Sequence, residues 1–190
     1  VQFAVMGEAY ARKVFEIEQP SIGILNIGSE DVKGHESLQQ AAAFLQETNL
    51  PIQFHGFVEG DDITRGTVDV IVTDGFTGNI ALKTAEGMAK MLGYFLKDAL
   101  LSTTISRFGA LLAKPALNKF RMRVDPRRYN GAMFLGLNDI CIKSHGGTDA
   151  LGFANALEVA VELISDNLND VIREDLVHLD DVKLEVSSES

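Results

Sequence analysis

Val68-Asp69-Val70-Ile71-Val72-Thr73-Asp74-Gly75-Phe76-Thr77-Gly78-Asn79-Ile80-Ala81-Leu82-Lys83 is the stretch that decides the fold class. Its first six residues are an almost unbroken apolar, β-branched run, the pattern of a strand buried on both faces. A glycine-containing turn follows, and helical spacing sets in near Thr77. The same organisation occurs upstream. Ile22-Gly23-Ile24-Leu25-Asn26-Ile27 ends in Gly28-Ser29-Glu30-Asp31, after which Leu38, Ala41, Ala42 and Leu45 mark a helix from about Gly34 to Thr48. Ile52 to Val58 reads as another strand. Strands alternating with helices, with continuous apolar strands, predict an α/β fold with a mainly parallel sheet joined by right-handed crossovers.

The pattern then changes. Ala132 to Leu137 and Ile140 to Ser144 flank Asn138-Asp139, two residues that tolerate positive φ, which predicts a C-terminal β-hairpin. A last helix is expected from about Thr148 to Asn167. Beyond Arg173 the chain becomes acidic and serine-rich, so residues 171–190 are expected to be a loose acidic tail and residues 1–170 one α/β domain. Val1 to Phe15 reads as the middle of an amphipathic helix with no capping residue ahead of it, which leads us to expect a longer protein with a further N-terminal part.

Of the 190 residues, 46% are hydrophobic and 23% charged, the balance of an ordinary globular protein. A net charge of -10 argues against nucleic acid as the main partner, because counterion release needs clustered Lys and Arg. Cys141 is the single cysteine, and it falls within an expected strand, so a buried structural thiol in a reducing compartment, the cytosol by default, is anticipated. His35, His55 and His178 lack ligand spacing, and no metal site is proposed. Neither a membrane-spanning run nor a signal-peptide pattern is present in the sequence.

Chemistry in an open α/β sheet sits beyond the carboxyl ends of the strands, where turns expose backbone amides at helix starts. Three junctions qualify. In Gly28 to Gly34, Lys33 lies between two glycines and can face an anion, or merely balance Glu30 and Asp31 on a solvated loop. In Asp74 to Lys83, Gly75 and Gly78 allow close backbone approach and Thr77 is a candidate cap, with Asp74 an equal alternative partner for the same amides. Asn79 offers donors near the positive end of the helix, and Lys83 lies one turn along the same face. A plain strand–turn–helix connection accounts for these residues equally well. In Ser144 to Asp149, Gly146 and Gly147 expose amides, and His145 is either a phosphate contact and proton donor or a structural histidine. Ser144 and His145 point to opposite faces and cannot be a nucleophile–base pair. Dinucleotide and phosphate-loop glycine motifs, the zinc-protease helix motif and the nucleophile elbow are all missing from the sequence.

Between Lys90 and Arg128 nine Lys or Arg face only Asp98 and Asp125, a balance of +7 in an acidic chain. Leu92, Phe95, Leu96, Leu100, Ile105, Phe108, Leu111 and Leu112 share that stretch. It reads as a protruding basic helical pair whose apolar side packs on its own domain or a second subunit. Arg107, Lys114, Lys119, Arg121, Arg123, Arg127 and Arg128 would meet an anionic lipid surface or an acidic protein.

Five ordered motifs carry a family resemblance. They are Val5-Met6-Gly7-Glu8-Ala9-Tyr10-Ala11, Asn26 to Glu30 with Lys33-Gly34, and Asp74 to Thr84. Gly109 to Leu117, and Leu135 to Asn138 with Lys143 to Gly146, complete the set. Together they resemble the PlsX-type phosphate acyltransferases of bacterial phospholipid synthesis, over about residues 1 to 165 and corresponding to the C-terminal half of that family. The resemblance implies a three-layer α/β/α sandwich like the isocitrate and isopropylmalate dehydrogenases. It also implies conversion of acyl-acyl carrier protein and inorganic phosphate to acyl phosphate and free carrier protein. No cofactor or metal is implied. Members are homodimers in the cytoplasm, associated peripherally with the membrane. The family's N-terminal half, with its own glycine-rich loop, has no counterpart here, so this chain alone is expected to be inactive. Under this reading Lys33, Asn79, Lys83 and His145 carry the catalytic contacts, with Gly75, Thr77, Gly78, Gly146 and Gly147 around the phosphate. The rival readings are a dehydrogenase of the related fold and a non-catalytic lipid- or carrier-binding fragment.

Overall fold

Ser21–Leu25 (β1) forms the middle of a three-stranded parallel sheet in the computed structural model, which describes residues 1–48, 50–123, 125 and 130–188. Its neighbours are Gln53–Val58 (β2) and Val70–Val72 (β3), giving the order β2-β1-β3. The α/β class and the parallel sheet agree with the sequence. β3 is shorter than its apolar run, and Asp69, just before it, donates its N–H to the Ser21 carbonyl at 3.1 Å. Its carboxylate accepts hydrogen bonds from the Ser21 backbone N–H at 2.8 Å and from the Ser21 hydroxyl at 2.6 Å. Both bonds favour the ionised form, the hydroxyl bond most, and hold the Asp69 carboxyl below the usual carboxylate range.

The chain divides into two compact units rather than the single domain expected, one of residues 1–73 with 131–190 and one of residues 74–130. In the first, Gln2–Val14 (α1) and Glu36–Glu47 (α2) share a cluster with the sheet, formed by Ala4, Ile22, Ile24, Ala42, Leu45 and Phe57. Gly7 permits the close approach of α1 to β3, since a Cβ there would stand 2.7 Å from Val70 Cγ1. Asp62–Arg65 (α3) is a single turn closed by Gly66 in the left-handed conformation, too short for periodicity to reveal. The apolar face of α1 also meets Ala150–Ser165 (α7) and Leu168–Ser188 (α8) through Met6, Ala9, Leu163, Leu168 and Ile172.

Three expectations are corrected in this unit. The stretch expected as a loose tail is helical from Leu168 to Ser188, with Leu168, Ile172 and Leu179 buried at one helical stripe. Between Asn130 and Asp149 only Ala132–Met133 (β4) and Ile142–Lys143 (β5) pair, antiparallel, so the ladder is two residues long rather than five or six. Cys141 is exposed, not buried, although its carbonyl accepts from Phe134 N–H across the hairpin at 2.9 Å.

The second unit is helical: Gly75–Leu101 (α4), Thr104–Leu112 (α5) and Lys114–Arg123 (α6). Thr103 caps α5 by accepting from Ser106 N–H at 3.0 Å. Neither α4 nor α5 has a buried residue, although both are rich in Leu, Phe and Met. Ile105, Phe108, Leu111 and Leu112 lie on one face of α5 and are all exposed. Among the described residues no helix is long and apolar enough to cross a membrane.

Candidate functional site

The loop after β1 is held by its own side chains. Asn26, buried in an otherwise apolar strand end, donates from Nδ2 to the Lys33 carbonyl at 3.0 Å and accepts from Ile27 N–H at 2.9 Å. Gln39 of α2 donates to the Val32 carbonyl at 3.1 Å. Gly34 adopts φ +84°, and a Cβ there would run into the Asn26 amide, so glycine is required twice over. The result is a shaped loop that presents Lys33 to solvent. Asn26 and Gln39 are the residues the sequence reading missed as loop-builders. A lone amide in an apolar strand ending at glycine was the available signal for Asn26, whereas Gln39 gave none.

At the second junction the cap is Asp74, not Thr77. Asp74 Oδ1 accepts from the Phe76 and Thr77 amides, both at 2.9 Å. A hydrogen bond with the Thr77 side chain foremost, and then the amide bonds, lower the Asp74 carboxyl below its ordinary value. A carboxylate therefore already occupies the amide of Thr77, one of the residues expected around phosphate, together with that of Phe76. Gly75 and Gly78 lie inside α4 without positive φ, and a Cβ on Gly75 would meet nothing within 4 Å. Asn79 and Lys83 are exposed one turn apart, and Lys83 Nζ is engaged by Glu86 at 3.0 Å.

The third junction is a turn in which Gly147 N–H donates to His145 Nδ1 at 3.1 Å, and Thr148 N–H donates to the His145 carbonyl. An acceptor at Nδ1 places the neutral ring's proton on Nε2, which makes exposed His145 a donor at that atom. Asp149 caps α7 by accepting from Gly152 N–H at 3.1 Å. A Cβ on Gly146 would meet nothing within 4 Å.

The predicted residues thus fall in both units. Lys33, His145, Gly146 and Gly147 belong to the first, and Gly75, Thr77, Gly78, Asn79 and Lys83 to the second. None of them lines either of two surface depressions. One of about 440 Å³ lies against Arg12, Lys13, Glu16, Glu18 and Asp166, and one of about 360 Å³ lies beside Asn138 to Ile140 and Leu163 to Asp170. Nearby, Arg12 binds Glu8 at 2.9 Å and Asp175 at 2.8 Å, tying α1 to α8. The hydrogen bond to Glu8, more than the Coulombic attraction, raises the guanidinium's affinity for its proton. Glu8 is a motif residue with this structural duty. Among the described residues no group of three His, Cys, Asp or Glu side chains is arranged to hold a metal.

Of the basic residues, Arg107 donates to the Leu101 carbonyl at 2.9 Å and so closes the end of α4. Lys114, Lys119 and Arg121 are exposed on α6, whose last residue is Arg123. Arg127 and Arg128 lie outside the described residues.

Comparison with known proteins assigns the five motifs. The sequence profile of a family described as fatty acid synthesis protein matches residues 1–171, and the chain belongs to that family. It is 62% identical over 179 residues to a phosphate acyltransferase of Paramagnetospirillum magneticum, covering 94% of this chain and 51% of that protein. It is 57% identical over 176 residues to a phosphate acyltransferase of Rhodospirillum rubrum, covering 93% and 50%. With that of Parvibaculum lavamentivorans the identity is 59% over 179 residues, covering 94% and 50%. The chain spans about half the length of these curated relatives.

Proposed function

We propose that this chain is the C-terminal half of a phosphate acyltransferase, which converts acyl-acyl carrier protein and inorganic phosphate to acyl phosphate and free carrier protein. The observation that carries the reading is the 62% identity, across nearly the whole chain, to a relative bearing that name. Its chemistry suits the residues. Phosphate at neutral pH is already an anionic nucleophile, so the protein needs to position it against the thioester carbonyl and stabilise the oxyanion, without a covalent enzyme intermediate. Lys33 on its braced loop supplies positive charge, and Asn79 supplies side-chain donors beside the first turn of α4. Lys83 reaches the same face after leaving Glu86. His145, with its proton on Nε2, donates to phosphate or to the departing thiolate, while Gly75, Thr77, Gly78, Gly146 and Gly147 let the backbone come close. Asp74, as the cap, orders the Phe76 and Thr77 amides rather than leaving both to the anion. The architecture that goes with this reading is a three-layer α/β/α sandwich with a C-terminal hairpin.

The assembled enzyme acts in this reading as a cytoplasmic homodimer at the membrane surface. The exposed apolar face of α5 and the basic side chains Lys114, Lys119, Arg121 and Arg123 support a docking role for residues 90–128. Their target is the acidic carrier protein or anionic lipid.

The test is transfer of radiolabelled phosphate from acyl-acyl carrier protein, using this chain joined to the N-terminal half of the Paramagnetospirillum relative. Asn79→Ala should lower turnover by a factor on the order of 100 if it donates to the oxyanion. Unchanged turnover removes Asn79 from the mechanism, and absence of labelled acyl phosphate from the unsubstituted protein removes the reading itself.

A further inference from the structure

Asn26 ends the apolar run of β1, where a leucine or valine would simply continue the core. Its backbone N–H donates to the Val58 carbonyl at 2.8 Å, which fixes Asn26 to the end of β2. Its side chain then closes the loop at both ends. Oδ1 accepts from Ile27 N–H at 2.9 Å, and Nδ2 reaches seven residues along the chain to the Lys33 carbonyl at 3.0 Å. Donor and acceptor are both used. A carboxylate in the same place would accept from Ile27 but could not donate to Lys33.

Lys33 is where these bonds converge. Its N–H donates to the Glu30 carbonyl at 3.0 Å, so both of its backbone polar groups are engaged although its side chain is exposed. The Gln39 amide holds the same stretch, donating to the Val32 carbonyl at 3.1 Å and the Gly34 carbonyl at 3.4 Å. The stem of Lys33 lies against Gly28, where an added Cβ would stand 3.2 Å from Lys33 Cγ. Lys33 is thus held beside the carboxyl end of β1, the end at which an open α/β sheet presents groups to ligands. Among the described residues it forms no ion pair with Glu30 or Asp31.

We propose that Asn26 is a positioning residue for anion capture, fixing the backbone of Lys33 so that affinity for inorganic phosphate depends on Asn26 through Lys33. The proposal rests on the reading that Lys33 contacts phosphate. A lysine on a free loop loses backbone as well as side-chain freedom when it takes up an anion, whereas on a loop closed beforehand only the side chain is left to order. An amide buried at an apolar strand end must find partners there, and both partners of this side chain belong to the loop.

The test is calorimetric titration of inorganic phosphate into this chain joined to the N-terminal half of the Paramagnetospirillum relative. Asn26→Ala should weaken binding by a factor on the order of 10, and Asn26→Asp by at least as much, since a carboxylate cannot donate to the Lys33 carbonyl. Lys33→Ala should weaken binding too, and adding Asn26→Ala to it should change the affinity by less than about twofold. A merely structural asparagine would lower affinity equally in both backgrounds, and that result overturns the proposal, as does unchanged affinity in Asn26→Ala. Should Asn26→Ala fail to fold, Gln39→Ala takes its place in the same cycle, with a smaller loss expected that also vanishes without Lys33. If the unsubstituted protein binds phosphate but transfers no acyl group, the enzymatic reading falls and the cycle still decides this one. If it binds no phosphate, the proposal is overturned.

Discussion

Residues 1–73 with 131–190, and residues 74–130, put the same kinds of apolar side chain to opposite uses. In the first unit Ile22, Leu163, Leu168, Leu179 and Val58 are sealed from solvent. In the second, Ile105 is 86% exposed and Leu112 70% exposed, and neither α4 nor α5 buries a single residue. One unit is therefore built round its own core, whereas α4 and α5 of the other bury no residue. Caps and i,i+4 contacts hold isolated helices only marginally, so most of this chain's stability must reside in the first unit.

The largest expected effect sharpens that contrast. Leu163→Ala, in the cluster joining α1, α7 and α8, should cost about 2–5 kcal/mol in denaturant unfolding of the chain, through lost transfer energy and the cavity left behind. A loss below about 1 kcal/mol would mean that α7 is not integral to the core.

An intermediate effect concerns acid. The Asp69 carboxyl is lowered by its bonds to Ser21, so the folded state binds its proton less readily than the unfolded state does. The stability this contributes is present above the ordinary carboxylate value of 3.8 and is lost as pH falls through the lower folded value. Asp69→Asn should flatten the acid limb of unfolding in that window and leave the slope near neutrality unchanged. An unaltered acid limb would show that the Ser21 bonds do not persist in solution.

The smallest expected effect is in the second unit. Phe108→Ser on exposed α5 should change unfolding free energy by less than about 0.5 kcal/mol. It should, however, weaken binding to anionic vesicles or to acyl carrier protein, measured by co-sedimentation and titration. A loss of several kcal/mol would break the comparison, by showing that Phe108 is packed in the molecule that unfolds.

Much of the first unit was legible because its strands are continuous apolar runs and its helices have broad apolar faces. The α8 helix was not. Its buried residues Leu168, Ile172 and Leu179 form a narrow stripe among Asp170, Glu174, Asp175, Asp180 and Asp181, so composition suggested solvation while a few well-spaced leucines sufficed to dock it. Capping was half legible: Asp74 and Thr77 are both good caps in sequence, and only backbone geometry chose the carboxylate. Cys141 was misread because a strand position was taken to mean burial, whereas its side chain is at the surface of a short two-stranded ladder.

The sequence by itself determined the α/β class, the parallel sheet and the family, because hydrophobic period and ordered glycine motifs are local properties of the chain. Tertiary structure alone decided that Asn26 and Gln39 brace the Lys33 loop and that Arg107 closes α4. Those outcomes depend on which groups distant in sequence meet to satisfy buried amides and carbonyls, and no local pattern encodes that meeting.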